Sequence, residues 1–353
     1  MPRCTSQALS FNPVLSDQGV TYHEDGFASF RLQLPAGARS VLIRLMDGPV
    51  YPLTGDDQGL FTGTFAVPGG FNYADVVVDG EVVLSPYLPI GFGASRPINY
   101  IDPPAEGDGF YQLRDVPHGT VAQHYYVSSV AGATQSCLVY LPPHYDPQTA
   151  YPVLYLQHGL GENETGWVHQ GRMNFILDNL IAEGKAVPMI VVMCTGMVNI
   201  NGEHNLSIFP QVLVTDVIPF IERTYSVLTD KQHRAMAGLS MGSMHTSMTT
   251  LTHPELFAYA GLFSGFMRFI WHEEQPHLAA LDDPETFARD FKVFFRAMGD
   301  EDPFFAHFEA DDALIEKKGV GASITRKLYR GGHGWQVWRE SLRDFLPLIF
   351  KEE

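Results

Sequence analysis

The second part of the chain alternates short apolar runs with segments of helical periodicity, and this alternation constrains the fold more than any other feature. The runs are typical of strands that are buried on both faces of a sheet. Between them, residues 173–183 and 212–225 carry apolar side chains at helical spacing. Strands joined through helices pair in parallel, so the sequence predicts an α/β domain with a mostly parallel sheet. The runs lie at 136–141, 153–156, 189–193 and 293–298.

The first part of the chain shows no helical period and consists of short β-rich runs. Two of them, 72–78 and 81–84, are separated only by Asp79-Gly80. An Asp-Gly pair in this setting is typical of a two-residue β-hairpin. The other runs are 27–34, 40–45 and 59–65.

These two patterns divide the chain into two predicted domains. Several strands at this spacing predict a small all-β, immunoglobulin-like sandwich over residues 1–105. The segment 100–109 is rich in Pro and Gly and is typical of a linker. The α/β domain is therefore predicted over residues 106–353.

The charge of the chain limits its partners. The sequence has 23 Lys and Arg against 40 Asp and Glu, a formal net charge of −17. This excess of acid repels polyanions, which excludes nucleic acid and anionic membranes as expected partners. The chain shows no apolar signal-peptide region at its start and no stretch of about 18 apolar residues, so we expect a cytoplasmic protein without a membrane span. Homo-oligomerisation stays open.

Neither the cysteines nor the histidines indicate a bound metal, and no cofactor is expected. Cys4, Cys137 and Cys194 are far apart and odd in number, which does not match a disulfide framework or a zinc site. No Gly-rich phosphate-binding loop is present.

The sharpest motif is Gly-Leu-Ser-Met-Gly at residues 238–242, which matches G-x-S-x-G. In that motif a tight strand-to-helix turn exposes a serine hydroxyl as a nucleophile. An apolar run precedes Ser240, and residues 243–251 can form the following helix. The alternative is a Gly-rich turn without chemistry.

A serine needs a base and an acid that orients the base. His333 lies between glycines after a late β-rich run, and we predict it as the base rather than a surface histidine. Asp300, Glu301 and Asp302 compete for the role of the acid, and we choose Asp302. The order Ser240, Asp302, His333 is that of α/β-hydrolases, which is the predicted fold.

The oxyanion of an acyl-transfer intermediate needs two N–H donors. The first is the backbone N–H of Met241, directly after the serine. The second is predicted on the loop after the run 153–156, at the N–H of Leu160, with Gly159 as the alternative. We assign His158 a structural rather than a catalytic role.

Together these residues closely resemble the putative-esterase family, which includes feruloyl esterases and acetyl xylan esterases of carbohydrate esterase family 1. The likeness covers about residues 115–353, and in this family Ser240, Asp302 and His333 would form the triad. The amino-terminal sandwich looks like the early-set, glycogen-binding-type module that often accompanies such esterases. The matching stretches are 140–146, 151–159, 174–184, 216–222, 237–242, 257–265 and 332–339.

The sequence departs from the family pattern in two places. Ser243 stands where a third glycine is common, and the segment 266–276 has no clear counterpart. That segment is therefore a candidate for shaping the substrate pocket.

The resemblance implies a serine carboxylesterase that acts on hydroxycinnamoyl esters of sugars or small alcohols, with a small-molecule or oligosaccharide ester as its partner. The alternatives are an acetyl xylan or other short-acyl esterase, a siderophore-ester hydrolase, or a carbohydrate-binding protein with a degenerate esterase domain. A feruloyl ring needs an apolar slot with few polar anchors. Core packing is the alternative for the aromatic candidates, above all for Trp335 and Trp338. The predicted substrate-binding residues are Gly159, Trp167, Phe266, Trp271 and Trp335.

Overall fold

The structure, a computed structural model, describes residues 18–46 and 48–351. The chain divides into two compact units, Met1–Leu113 and Arg114–Glu353, and each is described by itself. The domain boundary predicted after residue 105 stays a proposal. Cys4 lies outside the described residues.

The first unit is an all-β sandwich of antiparallel strands, as predicted. The strand order is β1-β2-β5-β4-β3-β6-β9-β8, and β7 pairs with β6. The strands are β1 Gly19–Tyr22, β2 Phe27–Gln33, β3 Val41–Leu45, β4 Val50–Gly55, β5 Leu60–Ala66, β6 Asn72–Val78, β7 Glu81–Val83, β8 Ile90–Gly93 and β9 Arg96–Ile101.

One strand joins the two layers of this sandwich. The first four residues of β4 pair with β3, whereas its last two, Thr54 and Gly55, pair with β5. The strand therefore passes from one sheet to the other, and the two sheets enclose a core that includes Phe30, Ile43 and Phe61. In β2, β3 and the first part of β4, alternate residues are buried in this core, as the period-two pattern predicts.

The hairpin predicted from Asp79-Gly80 is confirmed. Val78 pairs directly with Glu81, so the two residues between them form the whole loop. Both have positive φ angles, 50° and 93°, as a type I′ turn requires. The Asp79 carboxylate also accepts hydrogen bonds from the backbone N–H groups of Arg39 and Ser40, at 2.9 and 2.8 Å.

The second unit contains an eight-stranded mixed sheet in the order β10-β11-β13-β12-β16-β17-β18-β19. The pairs of β10 with β11 and of β11 with β13 are antiparallel, and from β13 to β19 every pair is parallel. The strands are β10 Thr120–Ser128, β11 Ala133–Leu141, β12 Val153–Gln157, β13 Ile190–Cys194, β16 Arg234–Leu239, β17 Tyr259–Phe263, β18 Val293–Gly299 and β19 Ile324–Tyr329, with a separate hairpin of β14 Asn199–Ile200 and β15 Glu203–His204.

Helices connect these strands and cover the sheet, which is the α/β-hydrolase architecture that the sequence predicts. The central strands β12, β13, β16 and β17 are buried along their whole length, because helices cover both faces. The helices are α1 Gly166–His169, α2 Met173–Ala182, α3 Phe209–Val212, α4 Ile218–Thr224, α5 Met241–Thr252, α6 Pro284–Asp290, α7 Phe305–Lys318 and α8 Trp335–Phe345.

The helix predicted over 212–225 is interrupted. A π-helical turn, Leu213–Val217, separates α3 from α4. Pro219 has no N–H to donate to the carbonyl of Thr215, four residues earlier. Among the described residues, no helix is both long and apolar enough to cross a membrane.

A buried carboxylate joins the start of the second unit to its first long helix. Asp178, on α2, is 1% exposed. Its two oxygens accept hydrogen bonds from the Gly119 N–H at 3.0 Å, the Tyr140 hydroxyl at 2.6 Å and His118 Nδ1 at 2.9 Å. Burial, together with this carboxylate, raises the pKa of the Tyr140 hydroxyl, which therefore stays a donor. The segment that leads into β10 is thus attached to both α2 and β11.

Replacing Asp178 by Ala should destabilise the second unit. The Tyr140 hydroxyl and the Gly119 N–H lose their acceptor in a buried place, so we expect the free energy of unfolding to fall by about 2–4 kcal/mol. Urea unfolding followed by tryptophan fluorescence measures this unit alone, since all four tryptophans lie after residue 166. Asp178→Asn is the matched control and keeps one acceptor oxygen, so its loss should be smaller. Equal stability of Asp178→Ala and the unchanged protein would contradict this account.

Candidate active site

Ser240 occupies a strained turn between β16 and α5. Its φ and ψ angles are 51° and −118°, outside the regions that non-glycine residues favour. Its N–H donates to the carbonyl of Phe263 at 2.9 Å, and its own carbonyl accepts from the Ser243 N–H at 2.9 Å. The turn places the Ser240 side chain at the carboxyl edge of the parallel sheet, where α/β proteins build their sites.

The two motif glycines are required by close backbone contacts. A Cβ on Gly238 would lie 2.4 Å from the carbonyl oxygen of Gly242. A Cβ on Gly242 would lie 2.6 Å from the carbonyl oxygens of both Gln157 and His158. These backbone atoms belong to closely packed, buried parts of β12, β16 and α5 and cannot move away, so no side chain fits at either position.

Ser243, the departure from the family pattern, fits because a glycine faces it. A Cβ on Gly265 would lie 1.5 Å from Ser243 Oγ. That hydroxyl donates to the carbonyl of Ser240 at 2.6 Å and so supports the turn from behind. Ser243 and Gly265 therefore compensate each other across the first turn of α5.

A chain of hydrogen bonds joins Ser240, His333 and Asp302. His333 Nε2 lies 2.9 Å from Ser240 Oγ, and His333 Nδ1 lies 2.8 Å from Asp302 Oδ2. A carboxylate only accepts, so Nδ1 carries the proton and the Nε2 lone pair faces the serine hydroxyl. Asp302 is buried, and its second oxygen accepts from the Phe304 N–H at 2.9 Å.

The three competing carboxylates have different surroundings. Asp300 Oδ1 accepts from the Gly331 N–H at 2.9 Å, and the Glu301 N–H donates to the Gly331 carbonyl at 2.9 Å. These bonds connect the loop after β18 to the loop after β19. Of the three, Asp302 is hydrogen-bonded to the His333 imidazole, whereas Asp300 and the Glu301 backbone hold the two loops together.

Two aromatic rings flank the imidazole of His333. The Phe304 ring is 5.0 Å away at 65°, and the Trp338 ring is 5.2 Å away at 89°. Edge-to-face contacts of this kind fix the ring plane. Sequence reasoning missed Phe304, although its place two residues after the chosen acid was a usable signal.

The loop after β12 packs directly on the serine turn. A Cβ on Gly159 would lie 2.7 Å from Leu239 Cδ1 and 3.3 Å from Ser240 Cβ, so glycine permits this approach. The Gly159 N–H is directed to Glu162 Oε2, at 3.4 Å. The next residue, Leu160, is 51% exposed and so lies at the surface rather than in the core. Met241 begins α5, where the N–H groups have no acceptor within the helix.

His158 has the structural surroundings that we expected. Its Nδ1 donates to the Gly159 carbonyl at 2.7 Å, and its Nε2 accepts from the Gly196 N–H at 2.9 Å. Burial lowers the pKa of His158 to about 4, so it is neutral at pH 7. Within residues 18–46 and 48–351, no three His, Cys, Asp or Glu side chains are grouped to hold a metal ion.

Two of the predicted substrate-binding side chains lie in the core, which was the alternative for the aromatic candidates. Trp167 and Trp335 are each 1% exposed and pack edge to face at 5.2 Å. Trp167 Nε1 donates to the carbonyl of Gln157 at 3.0 Å. Their rings thus belong to the core beneath the serine turn, where an indole can satisfy its N–H with a buried carbonyl.

Phe266 and Trp271 lie nearer the surface of the site. The Phe266 ring is buried but contacts Phe304, at 6.0 Å. Trp271 is 46% exposed and packs on Phe269 at 5.2 Å. Phe269 belongs to the same apolar cluster as Met241, so these rings extend from the first turn of α5. Trp271 and Phe269 line a cavity of about 430 Å³ together with Ile200, Glu203, His204, Asn205, Leu206, Ser207 and His272.

Comparisons with known proteins identify the family of the chain. The family model described as putative esterase matches residues 128–349, and the chain belongs to that family. A curated relative from Xylanibacter ruminicola, named endo-1,4-beta-xylanase/feruloyl esterase, is 42% identical over 347 residues. Those residues are 93% of this chain and 45% of the relative, so this chain spans less than half of the relative's length.

Solved structures share the fold. One is a mutant of the feruloyl esterase module from Clostridium thermocellum, complexed with sinapinate. It has a TM-score of 0.58 at 26% identity, and the match covers 69% of this chain and 92% of the chain of that module. An enterobactin esterase from Shigella flexneri has a TM-score of 0.65 at 13% identity, with coverage of 94% and 96%. The second likeness shows the fold alone.

Gly242→Ala should damage the serine turn. The added Cβ meets two backbone carbonyl oxygens, and such overpacking costs about 1–3 kcal/mol or more, so we expect Tm to fall by about 5 °C or more. Differential scanning calorimetry measures this. Gly321→Ala is the control, because its nearest contact, Ile315 Cγ2, would be 3.6 Å away. A Gly242→Ala protein as stable as the control would show that the turn has room.

Acid should destabilise the second unit through its buried histidines. Burial lowers the pKa of both His158 and His245 to about 4, whereas an unfolded histidine takes up a proton near pH 6.5. The unfolded chain therefore binds more protons between these values, and the free energy of unfolding falls as pH drops from about 6.5 to about 4, on the order of 3 kcal/mol per histidine.

Urea unfolding at several pH values between 7 and 4.5 measures this dependence. His245→Gln removes one of the two groups and should make the dependence less steep. The exposed His204 gives the control variant, His204→Gln, which should leave the slope unaltered. A stability that does not change over this pH range would contradict the assignment of neutral, buried histidines.

Proposed function

We propose that this chain is a serine carboxylesterase that hydrolyses hydroxycinnamoyl (feruloyl-type) esters of sugars or small alcohols. The observation that carries the proposal is the hydrogen-bond chain from Ser240 through His333 to Asp302 at a strained turn. Membership of the esterase family supports the reaction class. The names of the Xylanibacter ruminicola relative and of the Clostridium thermocellum module support the feruloyl group.

In the proposed mechanism, each residue of the hydrogen-bond chain has a role in the first half of the reaction. His333 Nε2 takes the proton from Ser240 Oγ as this oxygen attacks the ester carbonyl. Asp302 holds the imidazole in the required tautomer and stabilises its positive charge. The backbone N–H groups of Met241 and Leu160 stabilise the oxyanion of the tetrahedral intermediate. His333 then gives the proton to the leaving alkoxide, and an acyl-enzyme remains on Ser240.

The second half repeats these steps with water. His333 takes a proton from water, the hydroxide attacks the acyl-enzyme carbonyl, and the acid product leaves as Ser240 recovers its proton. We choose Leu160 rather than Gly159 as the second oxyanion donor, because the Gly159 N–H is directed to Glu162. Gly159 keeps a role in the site through its close approach to Ser240.

The aromatic residues next to α5 support an aromatic acyl group or a sugar as part of the substrate. The exposed face of Trp271 offers an apolar surface for a ring. The cavity of about 430 Å³ beside Trp271 is of the size that small ligands occupy. We keep Phe266 and Trp271 as proposed substrate-binding residues, and the rest of the predicted aromatic set belongs to the core.

Carbohydrate binding as the main function receives little support from the first unit. The aromatic rings of Tyr51, Phe61 and Phe71 are buried in the sandwich. A sugar-binding module presents aromatic rings on its surface instead, where they stack on the sugar ring. The cytoplasmic location, the absence of nucleic-acid and membrane partners, and homo-oligomerisation stay predictions.

Ser240→Ala should abolish the reaction and leave the fold intact. Without the nucleophile no acyl-enzyme forms, so we expect kcat/KM on methyl ferulate and on phenyl acetate to fall at least about ten-thousand-fold. Steady-state kinetics with purified protein measures this. Ser323→Ala, in the turn before β19, is the matched serine control and should keep its activity. Full activity of Ser240→Ala on both esters would overturn the proposed mechanism.

A panel of esters, compared by kcat/KM, tests which acyl group the protein prefers. We expect methyl ferulate and feruloylated oligosaccharides to have a higher kcat/KM than acetylated xylan or a siderophore trilactone. A preference for acetylated xylan would favour the acetyl esterase, and a preference for the trilactone would favour the siderophore hydrolase.

A further inference from the structure

One loop carries the aromatic side of the proposed pocket. Residues 264–275, here called the wall loop, connect β17 to a short 3-10 helix, Pro276–Leu281. Phe266 on this loop contacts Phe304, whose ring in turn contacts His333. The loop also carries Phe269 and Trp271. The position of the wall loop therefore determines the space in front of the catalytic histidine.

Part of the wall loop is held from within. The Gln275 side chain accepts a hydrogen bond from the Phe269 N–H at 2.8 Å and donates to the Phe269 carbonyl at 2.9 Å. It also donates to the carbonyl of His272. These bonds give the loop its own shape. They do not determine where that shape lies relative to the sheet.

A buried carboxylate fixes the loop to the rest of the unit. Asp311 lies on α7 and is 0% exposed. Its Oδ2 accepts a hydrogen bond from the backbone N–H of Met267 at 2.5 Å. The carbonyl of Met267 is also bound, because the buried His277 donates to it from Nε2 at 2.9 Å. Met267 is thus held at both its N–H and its carbonyl.

The charge of Asp311 is balanced by arginines. Arg268 approaches its Oδ1 at 3.3 Å, and the fully buried Arg296 approaches its Oδ2 at 3.7 Å. Burial raises the pKa of Asp311 above its ordinary value, and the two arginines offset part of this increase. Arg296 also pairs with Asp312 at 2.8 Å, and Asp312 pairs with Arg326 at 2.9 Å. Asp312 therefore belongs to the same network, but its partners are these two arginines rather than the backbone of the wall loop.

Stability alone gives no reason to bury such a group. Replacing buried ion pairs by apolar side chains is often neutral or stabilising, whereas a buried charge that bonds a backbone group fixes one geometry. The helix that carries Asp311 begins at Phe305, three residues after Asp302. One helix thus connects the acid of the proposed triad with the wall loop.

We propose that Asp311 is a positioning residue of the proposed esterase: with His277 it clamps the Met267 peptide and so holds the wall loop in the position that accepts an aromatic acyl group. The inference rests on the proposed function. It concerns binding of the large acyl group rather than the chemistry at Ser240, so its effect depends on the size of the substrate.

The test compares two esters in four proteins. We measure kcat and KM for methyl ferulate and for phenyl acetate in the unchanged protein, Asp311→Ala, His277→Phe and Asp312→Asn. Release of the wall loop should lower kcat/KM for methyl ferulate at least about tenfold, mainly through KM, and lower that for phenyl acetate less than about threefold. His277→Phe keeps a ring and removes only the donor to Met267. Asp312→Asn alters the same arginine network and should not change the ratio of the kcat/KM values for the two esters.

Equal losses on both esters, or the same ratio change in Asp312→Asn, would overturn the proposal, because a general loss of folded protein affects every substrate alike. If Asp311→Ala does not fold, His277→Phe decides, because it releases the same peptide from the other side. Ser240→Ala distinguishes a failure of the proposed function from a failure of the clamp. If it retains activity, the proposed function fails, and if it is inactive while the clamp variants treat both esters alike, only the clamp fails.

Discussion

The site depends on one strained residue. Ser240 holds a backbone conformation that costs on the order of 1–3 kcal/mol, and the surrounding structure must supply that energy. It does so through close packing, since Gly238 and Gly242 allow β16, β12 and α5 to approach within contact distance of one another. The serine hydroxyl is thereby held at the carboxyl edge of the sheet, and every other part of the site is arranged around it.

The remaining groups reach the serine because parallel strands end at the same edge. The loops after β18 and β19 bring Asp302 and His333 together, and hydrogen bonds from Asp300 and Glu301 to Gly331 keep the two loops in register. The loop after β12 supplies the neighbouring backbone. The geometry of the proposed triad is thus a property of sheet topology, stabilised by short loop-to-loop contacts.

Much of the fold could be predicted from local patterns. The strand over 72–78 has the predicted bounds, because its alternation ends in a clear Asp-Gly turn. The short strands β1, β4, β8 and β9 were not predicted. β4 contains Pro52, and β8 has two glycines in four residues, so neither has the side-chain pattern of an independent strand. They form strands because they pair with neighbouring strands of the sandwich.

Local sequence patterns were enough to propose Ser240 as the nucleophile, His333 as its base and the hydrolase order, since a tight turn and its flanking glycines leave a local signature. The folded structure brought Asp302 to His333 and buried Trp167 and Trp335 in the core. It also paired Ser243 with Gly265 and joined Asp311 to the wall loop. These outcomes depend on packing contacts between residues that are far apart in the chain. A local sequence pattern contains no information about such contacts.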